Sequence, residues 1–289
     1  MTGRRLSKIA LVACLAVTYR GCGVVPIINI DAGLAALVVY QEDGRARLAV
    51  QDGVEDGVWL EVDRVGEPGA VGGYLSQNAN ERDALVILLH GASTYDPEGT
   101  YGKARDFHQE YAPDLWPFGY LTWSLAVREC GTAYGQGDLA DALEAIDWLD
   151  AEGKALLGVE RVFVIGYSTG ATVSTLVARH RQVDGVVSMG GLAEPDQLEE
   201  LWSLYDWLRT LFPQNTAMCQ LGSTLDYYGP PGSPAWAALD TVAHVDELKS
   251  PALVVHAALD QVFFVDNTMH LQEQCEARLG EGAVLPEVE

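Results

Sequence analysis

Cations are scarce in this sequence. Its 289 residues carry 18 Lys and Arg against 41 Asp and Glu, a net charge of −23. Phosphate contacts need a basic surface, so this balance argues against nucleic-acid binding. Adsorption to anionic lipid is disfavoured for the same reason. An acidic, well-solvated surface is the simplest reading of the charge. Only five cysteines occur. They form no Cys-x-x-Cys pair and no Cys/His ligand spacing, which argues against a structural zinc site. No apolar run reaches the roughly 20 residues that a membrane-spanning helix needs. Internal repeats and low-complexity tracts are absent too. With 48% hydrophobic and 20% charged residues, the chain is too apolar for disorder and ample for a core.

The first 25 residues read as a processed leader. Arg4, Arg5 and Lys8 precede an apolar run from Ile9 to Val17, a charged segment followed by a short hydrophobic one. Cys22 follows Gly21 and is the candidate for lipidation, although Tyr19 and Arg20 are poor residues for such a site. The expectation is an exported protein, periplasmic, secreted or lipid-anchored, with a cytoplasmic one as the alternative. Export would place Cys130, Cys219 and Cys275 in an oxidising compartment, giving one disulfide of unassigned pairing and one spare thiol.

From about residue 45 onward, strand and helix patterns alternate. Ala46–Val50 and Val58–Val62 read as short strands separated by Asp-Gly turns. Asp83–His90 holds a continuous apolar run and Arg161–Ile165 a shorter one, while Gly119–Val127, Val183–Met189 and Pro251–Ala257 read as further strands. Such runs suit strands buried on both faces. Helical periodicity marks Asp138–Ala151, with Asp138 as its cap, then Gly170–Arg181 and Val265–Leu279. Ala283–Val288 reads as a last strand. The alternation predicts a mostly parallel central sheet with helices on both faces. Residues 192–248 interrupt it with a helical, aromatic-rich insertion. The expectation there is a helical lid over a substrate pocket, with Trp202 and Trp207 as candidate lining residues.

Gly166-Tyr167-Ser168-Thr169-Gly170 matches G-x-S-x-G. Alone the pattern is weak, but here a strand runs into it and a helix leaves it, which is the setting the motif requires. Ser168 is the candidate nucleophile. Side chains at Gly166 or Gly170 would collide with the neighbouring strand and helix. The helix start directs backbone N–H groups toward developing negative charge.

With these residues in place, the chain resembles the α/β-hydrolase superfamily, in its esterase, dienelactone-hydrolase and prolyl-oligopeptidase-like branches. The resemblance also rests on Leu88-Leu89-His90-Gly91 and on the segment from Leu248 to Val262. It implies the α/β-hydrolase fold over residues 26–289. It places the acid of a Ser–His–Asp triad on Asp260, with Asp266 in reserve. It places the oxyanion-binding amides on Thr169 and on Ala92, with Ser93 as the alternative to Ala92. The family's Asp-Arg-Gly signature is degraded to Arg128-Glu129-Cys130-Gly131, and Ala257 replaces the Gly of its His-Gly pair.

One element of that pattern is missing. The family's histidine follows the last strand, and after Asp260 the only His is His270, which falls within a helix. His90 belongs to the oxyanion loop, His180 lies three turns past the nucleophile, and His256 sits in the acid-bearing strand. His108 and His244 fall on loops. The expectation is that the histidine lies beyond Glu289 or has been lost. The implied function is a serine hydrolase cleaving small-molecule carboxylic esters through an acyl-enzyme, impaired if the histidine is absent. It needs no metal and no organic cofactor. The alternative is a catalytically inactive α/β-hydrolase-fold binding module or surface lipoprotein. Oligomeric state is not legible.

Overall fold

A computed structural model describes residues 45–49, 57–76, 83–92, 100–128, 132–195, 206–207, 210–211, 216–230, 232–258, 260, 265–279 and 284–288. The leader, Cys22, Ser93, Trp202 and most of the first half of the insertion lie outside the described residues.

Nine strands form one sheet: β1 (Ala46–Ala49), β2 (Gly57–Asp63), β3 (Ala70–Ser76), β4 (Ala84–Leu89), β5 (Tyr120–Leu125), β6 (Arg161–Tyr167), β7 (Gly185–Met189), β8 (Ala252–His256) and β9 (Val284–Val288). Their order is β1-β2-β3-β5-β4-β6-β7-β8-β9. The first three pair antiparallel, β3 also runs antiparallel to β5, and every pair from β5 to β9 is parallel. The continuous apolar runs therefore fall where predicted, in parallel strands covered on both sides.

Alternation along β4 shows how both faces are filled. Leu85, Ile87 and Leu89 enter one core with Trp123, Val164, Val173 and Leu176. Ala84, Val86 and Leu88 enter another with Phe107, Leu115 and Phe163. Helix α1 (Thr100–Leu115) covers the second face. Helices α2 (Gly137–Trp148, continued by a π turn, Leu149–Gly153, and a last turn, Lys154–Leu157) and α3 (Thr169–His180) cover the first. The remaining helices are α4 (Thr216–Tyr228) and α5 (Val265–Leu279).

Two elements were not read from the pattern. In β3, Gly72 and Gly73 resemble a turn. They are instead sites of close approach: a Cβ on Gly72 would lie 2.4 Å from the Trp59 ring, and one on Gly73 would lie 2.3 Å from the Ser124 carbonyl oxygen. The other is α1, whose apolar positions are interrupted by His108 and Pro113.

The insertion between β7 and β8 is fixed to the body by its second half. Trp236 and Leu239 are buried in the main core. The Thr224 hydroxyl accepts the Tyr134 N–H at 2.7 Å, and the Tyr228 hydroxyl donates to the Tyr134 carbonyl at 3.1 Å. Gln220 Nε2 donates to Asp138 Oδ2 at 3.1 Å. Asp138 lies inside the first turn of α2, where its Oδ1 accepts the Leu139 N–H. It therefore sits two residues past the cap, which is Gln136. Nearby, Asp141 is fully buried between Arg64 and Arg128, at 2.8 and 3.0 Å. Burial pushes its carboxyl up, and the Arg128 and Arg64 guanidiniums pull it back down. The degraded signature thus retains a structural task through Arg128.

Burial pushes the Asp138 carboxyl up to about 7, against the pull of its backbone and Gln220 hydrogen bonds. The unfolded chain releases that proton near 3.8. Between those values the folded state binds more protons, so this group's contribution is fully present below about pH 4. It declines by about 1.4 kcal/mol per pH unit as pH rises toward 7. Asp138→Asn should flatten the loss of stability over that window, measured as urea midpoints at a series of pH values. An unchanged slope would assign it to other groups.

Candidate active site

Strand β6 ends on Tyr167 and α3 begins on Thr169, leaving Ser168 alone at the junction. Its φ of +54° and ψ of −117° make it the one non-glycine residue with positive φ among the described residues. Such a conformation costs of order 1–3 kcal/mol and persists only where neighbours enforce it. Here the Ser168 N–H donates to the Met189 carbonyl at 2.9 Å. The Ala171 and Thr172 N–H groups donate back to the Ser168 carbonyl at 2.9 and 3.3 Å.

Three glycines make room for the turn. A Cβ on Gly166 would lie 2.0 Å from the Gly170 carbonyl oxygen. One on Gly170 would lie 2.2 Å from the Leu89 carbonyl oxygen, and one on Gly91 would lie 2.9 Å from Ser168 Cβ. The end of β4 and the start of α3 are therefore in backbone contact, with the serine between them. Ser168 is half-buried and faces a cavity of about 250 Å³. His90, Gly91, Ala92 and Tyr167 form part of its wall. The Thr169 N–H is the first of α3 and has no carbonyl partner within the helix. The two expected oxyanion positions, Ala92 and Thr169, thus lie beside Ser168, one in the same cavity wall and one next in sequence.

Asp260 comes to the same edge of the sheet. Its carboxylate lies 3.4 Å from where a Cβ of Gly190 would be, and Gly190 directly follows the residue that holds the Ser168 amide. The turn that carries it is closed by the Asp260 N–H on the Ala257 carbonyl at 3.1 Å. His256, at the end of β8, places Nε2 3.5 Å from Asp260 Oδ2 and Nδ1 2.7 Å from the Thr268 hydroxyl. With its proton on Nε2, the ring presents an N–H to the acid and accepts the Thr268 hydroxyl. This support was not read from the sequence, although the four-residue spacing of His256 and Asp260 is visible there.

Among the described residues no hydrogen bond joins the Ser168 hydroxyl to a histidine. His90 lines the cavity, with Nδ1 3.0 Å from the Gly91 carbonyl. His108 does not fall on a loop as expected. It is buried within α1, beside Tyr74 and Trp116, in a helix whose apolar spacing His108 itself and Pro113 interrupt. His180 ends α3, His244 contacts Glu247 at 2.8 Å, and His270 lies within α5 at 2.7 Å from Glu194.

The far wall of the cavity is Lys103, Asp106, Phe107, Glu110 and Tyr111, all from α1. None of the described insertion residues lines it. Trp207 is exposed, and Trp202 lies outside the described residues. The reserve acid Asp266 lies in the first turn of α5. Cys219 is disulfide-bonded, while Cys275 is a buried thiol whose pKa burial pushes up to about 11.

A mixed, mostly parallel sheet with a strained serine between strand and helix is the α/β-hydrolase fold, and the chain resembles the esterase and peptidase branch of that superfamily. Esterase EstD of Thermotoga maritima is 31% identical over 132 residues, which are 41% of this chain and 31% of the relative. The match thus spans about a third of the length of that curated relative. The Pyrococcus furiosus esterase Pf2001 superposes with a TM-score of 0.57 at 17% identity, over 85% of this chain and 87% of its own. A Pyrococcus horikoshii acylaminoacyl peptidase gives 0.58 at 14% identity, over 81% of this chain and 37% of its own. A Mycobacterium tuberculosis puromycin-hydrolyzing peptidase gives 0.58 at 15% identity, over 85% and 35%. No family model matches the chain.

The packing at Gly166 gives a direct test. Gly166→Ala would force a Cβ against backbone, which no rotamer change can relieve. The expected loss is at least about 1–3 kcal/mol in urea melts, the range for overpacked sites. A neutral effect would mean that the turn is looser than described.

Proposed function

We propose that the protein hydrolyses carboxylic esters through an acyl-enzyme on Ser168. The observation that carries this reading is the positive φ of Ser168 at a strand-to-helix turn, open to a cavity shared with Gly91 and Ala92. Ser168 Oγ attacks the acyl carbon and the Ala92 and Thr169 amides receive the developing oxyanion. A histidine takes the hydroxyl proton and returns it to the departing alcohol, and Asp260 orients that histidine. Water then repeats the sequence on the acyl-enzyme and releases the acid. No step requires a metal ion or an organic cofactor.

The absence of a histidine bonded to Ser168 among the described residues favours a second reading, an inactive α/β-hydrolase-fold binding module. Between the two stands an impaired enzyme. Without a base the hydroxyl keeps its proton at neutral pH and attack is slow. A fluorophosphonate probe separates the three, with intact mass as readout and Ser168→Ala as control. The impaired enzyme labels Ser168 slowly and turns over a p-nitrophenyl ester feebly. Rapid labelling would show that one of the six histidines serves as the base. No labelling of a folded chain would leave the binding module.

We also propose export, with processing or lipidation near Cys22. The charged and apolar segments before it support this, as does the disulfide-bonded state of Cys219, since disulfides persist in oxidising compartments. Mass spectrometry of the protein from its native host should find the chain starting near Cys22. A native chain that begins at Met1 would overturn the proposal.

A further inference from the structure

The wall of the Ser168 cavity that α1 supplies was not part of the sequence reading. Its residues fall three, four and one apart, so they share one helix face. We infer that this face selects esters bearing a small, positively charged ammonium group beside the scissile bond. The inference rests on the hydrolase reading of Ser168 and names its substrate class.

Three aromatic rings pack together in the wall next to Ser168, with Phe107 buried between Tyr111 and the exposed Tyr167. Phe107 and Tyr111 have centroids 4.4 Å apart, and Phe107 and Tyr167 lie near-parallel at 6.5 Å. Tyr167 immediately precedes Ser168, is exposed and lines the same cavity, so its ring is the part of this cluster that a ligand at Ser168 can reach. Ring faces attract cations through their quadrupole, most strongly a quaternary ammonium. The same wall carries two carboxylates, Asp106 and Glu110, beside one ammonium, Lys103. Asp106 contacts Arg105 at 3.4 Å in an exposed pair, which solvent screens. The chain's net charge of −23 draws cations toward the cleft as well. The volume of about 250 Å³ is below the roughly 300–1,000 Å³ of pockets for drug-sized ligands, so the group is small. A neutral group of equal shape gains only apolar contact with the rings. An anionic group meets two carboxylates.

The test uses two p-nitrophenyl methylphosphonates, one bearing a choline ester and one bearing the neutral isostere 3,3-dimethylbutyl. In each, the bond from Ser168 Oγ to phosphorus forms and the bond from phosphorus to the aryl oxygen breaks. The hydroxyl proton leaves with p-nitrophenol. Release of p-nitrophenolate and intact mass follow the reaction. The cationic reagent should label Ser168 about five- to tenfold faster at low salt, the combined scale of one cation–π contact and one partly exposed ion pair. The ratio should fall toward one in high salt and in the Asp106→Asn, Glu110→Gln double variant, and rise in Lys103→Gln. Equal rates, or a faster neutral reagent, overturn the inference while leaving the hydrolase reading intact. Calorimetric binding of choline and 3,3-dimethylbutanol supplies a readout that needs no reaction. Tighter choline binding supports the inference, and equal or weaker binding overturns it. If neither reagent labels the folded chain, the hydrolase reading fails, and the binding comparison still decides the cation preference.

Discussion

The contact between the end of β4 and the start of α3 governs the rest of the site. Leu89 and His90 carbonyls press on Gly170, Gly170 presses on Gly166, and Gly91 presses on Ser168. No side chain fits at any of the three glycine positions. The strained φ of Ser168 follows from this closeness, because the chain must reverse from strand to helix within one residue. The strain is held by bonds that belong to other elements, namely the β7 carbonyl of Met189 and the first amides of α3. Ser168 is thus positioned by the sheet itself, and so is the His90–Ala92 segment, which follows β4 directly.

Polar groups fix what the backbone contact does not. His256 and Thr268 form a chain of contacts that ends on the Asp260 carboxylate, tying the acid to both β8 and α5. Past β4 in the sheet order, Asp141 joins Arg64 and Arg128, so the turn after β2 and the end of β5 are locked to α2. Breaking such a buried pair by removing one partner is strongly destabilising, even where the intact pair adds little. The insertion is docked by Tyr228, Trp236 and Leu239 in the main core and by hydroxyl and amide bonds from α4 to the 132–138 segment. Its position therefore depends on buried polar groups as well as on apolar packing: the Tyr228 hydroxyl joins Gln136 to the Tyr134 carbonyl, and the Thr224 hydroxyl joins the Tyr134 N–H to the Gln220 carbonyl.

The parallel part of the fold was legible because burial on both faces writes itself as unbroken apolar runs, as in Ala84–Leu89 and Arg161–Ile165. Ser168 was legible because only a strained turn needs glycine on both sides. β3 was illegible because Gly72 and Gly73 signal a turn locally, whereas their real cause is the Trp59 ring and the β5 backbone, both distant in sequence. α1 was illegible because its buried face mixes Phe107 and Ala104 with His108, and Pro113 looks like a terminator. The same mixed pattern conceals the far wall of the cavity and the helical position of His108. The contact between His256 and Asp260 lay in plain sight as a spacing, but only the turn at Ala257–Asp260 brings the two side chains together.

The strand order carries a consequence for synthesis. β4 lies at the middle of the sheet, yet both strands that flank it are made later, and Ala84 pairs with Arg161, close to eighty residues downstream. At roughly 5–20 residues per second, that partner emerges on the order of 4–15 seconds after β4 does. Throughout that interval six consecutive apolar residues, with no charge among them, have one edge unpaired. Asp83 and His90 bracket the segment, the placement by which polar flanking residues discourage nascent chains from zipping together. The sequence that makes the cradle of Ser168 rigid in the finished molecule is therefore exposed to misassociation while the ribosome is still at work.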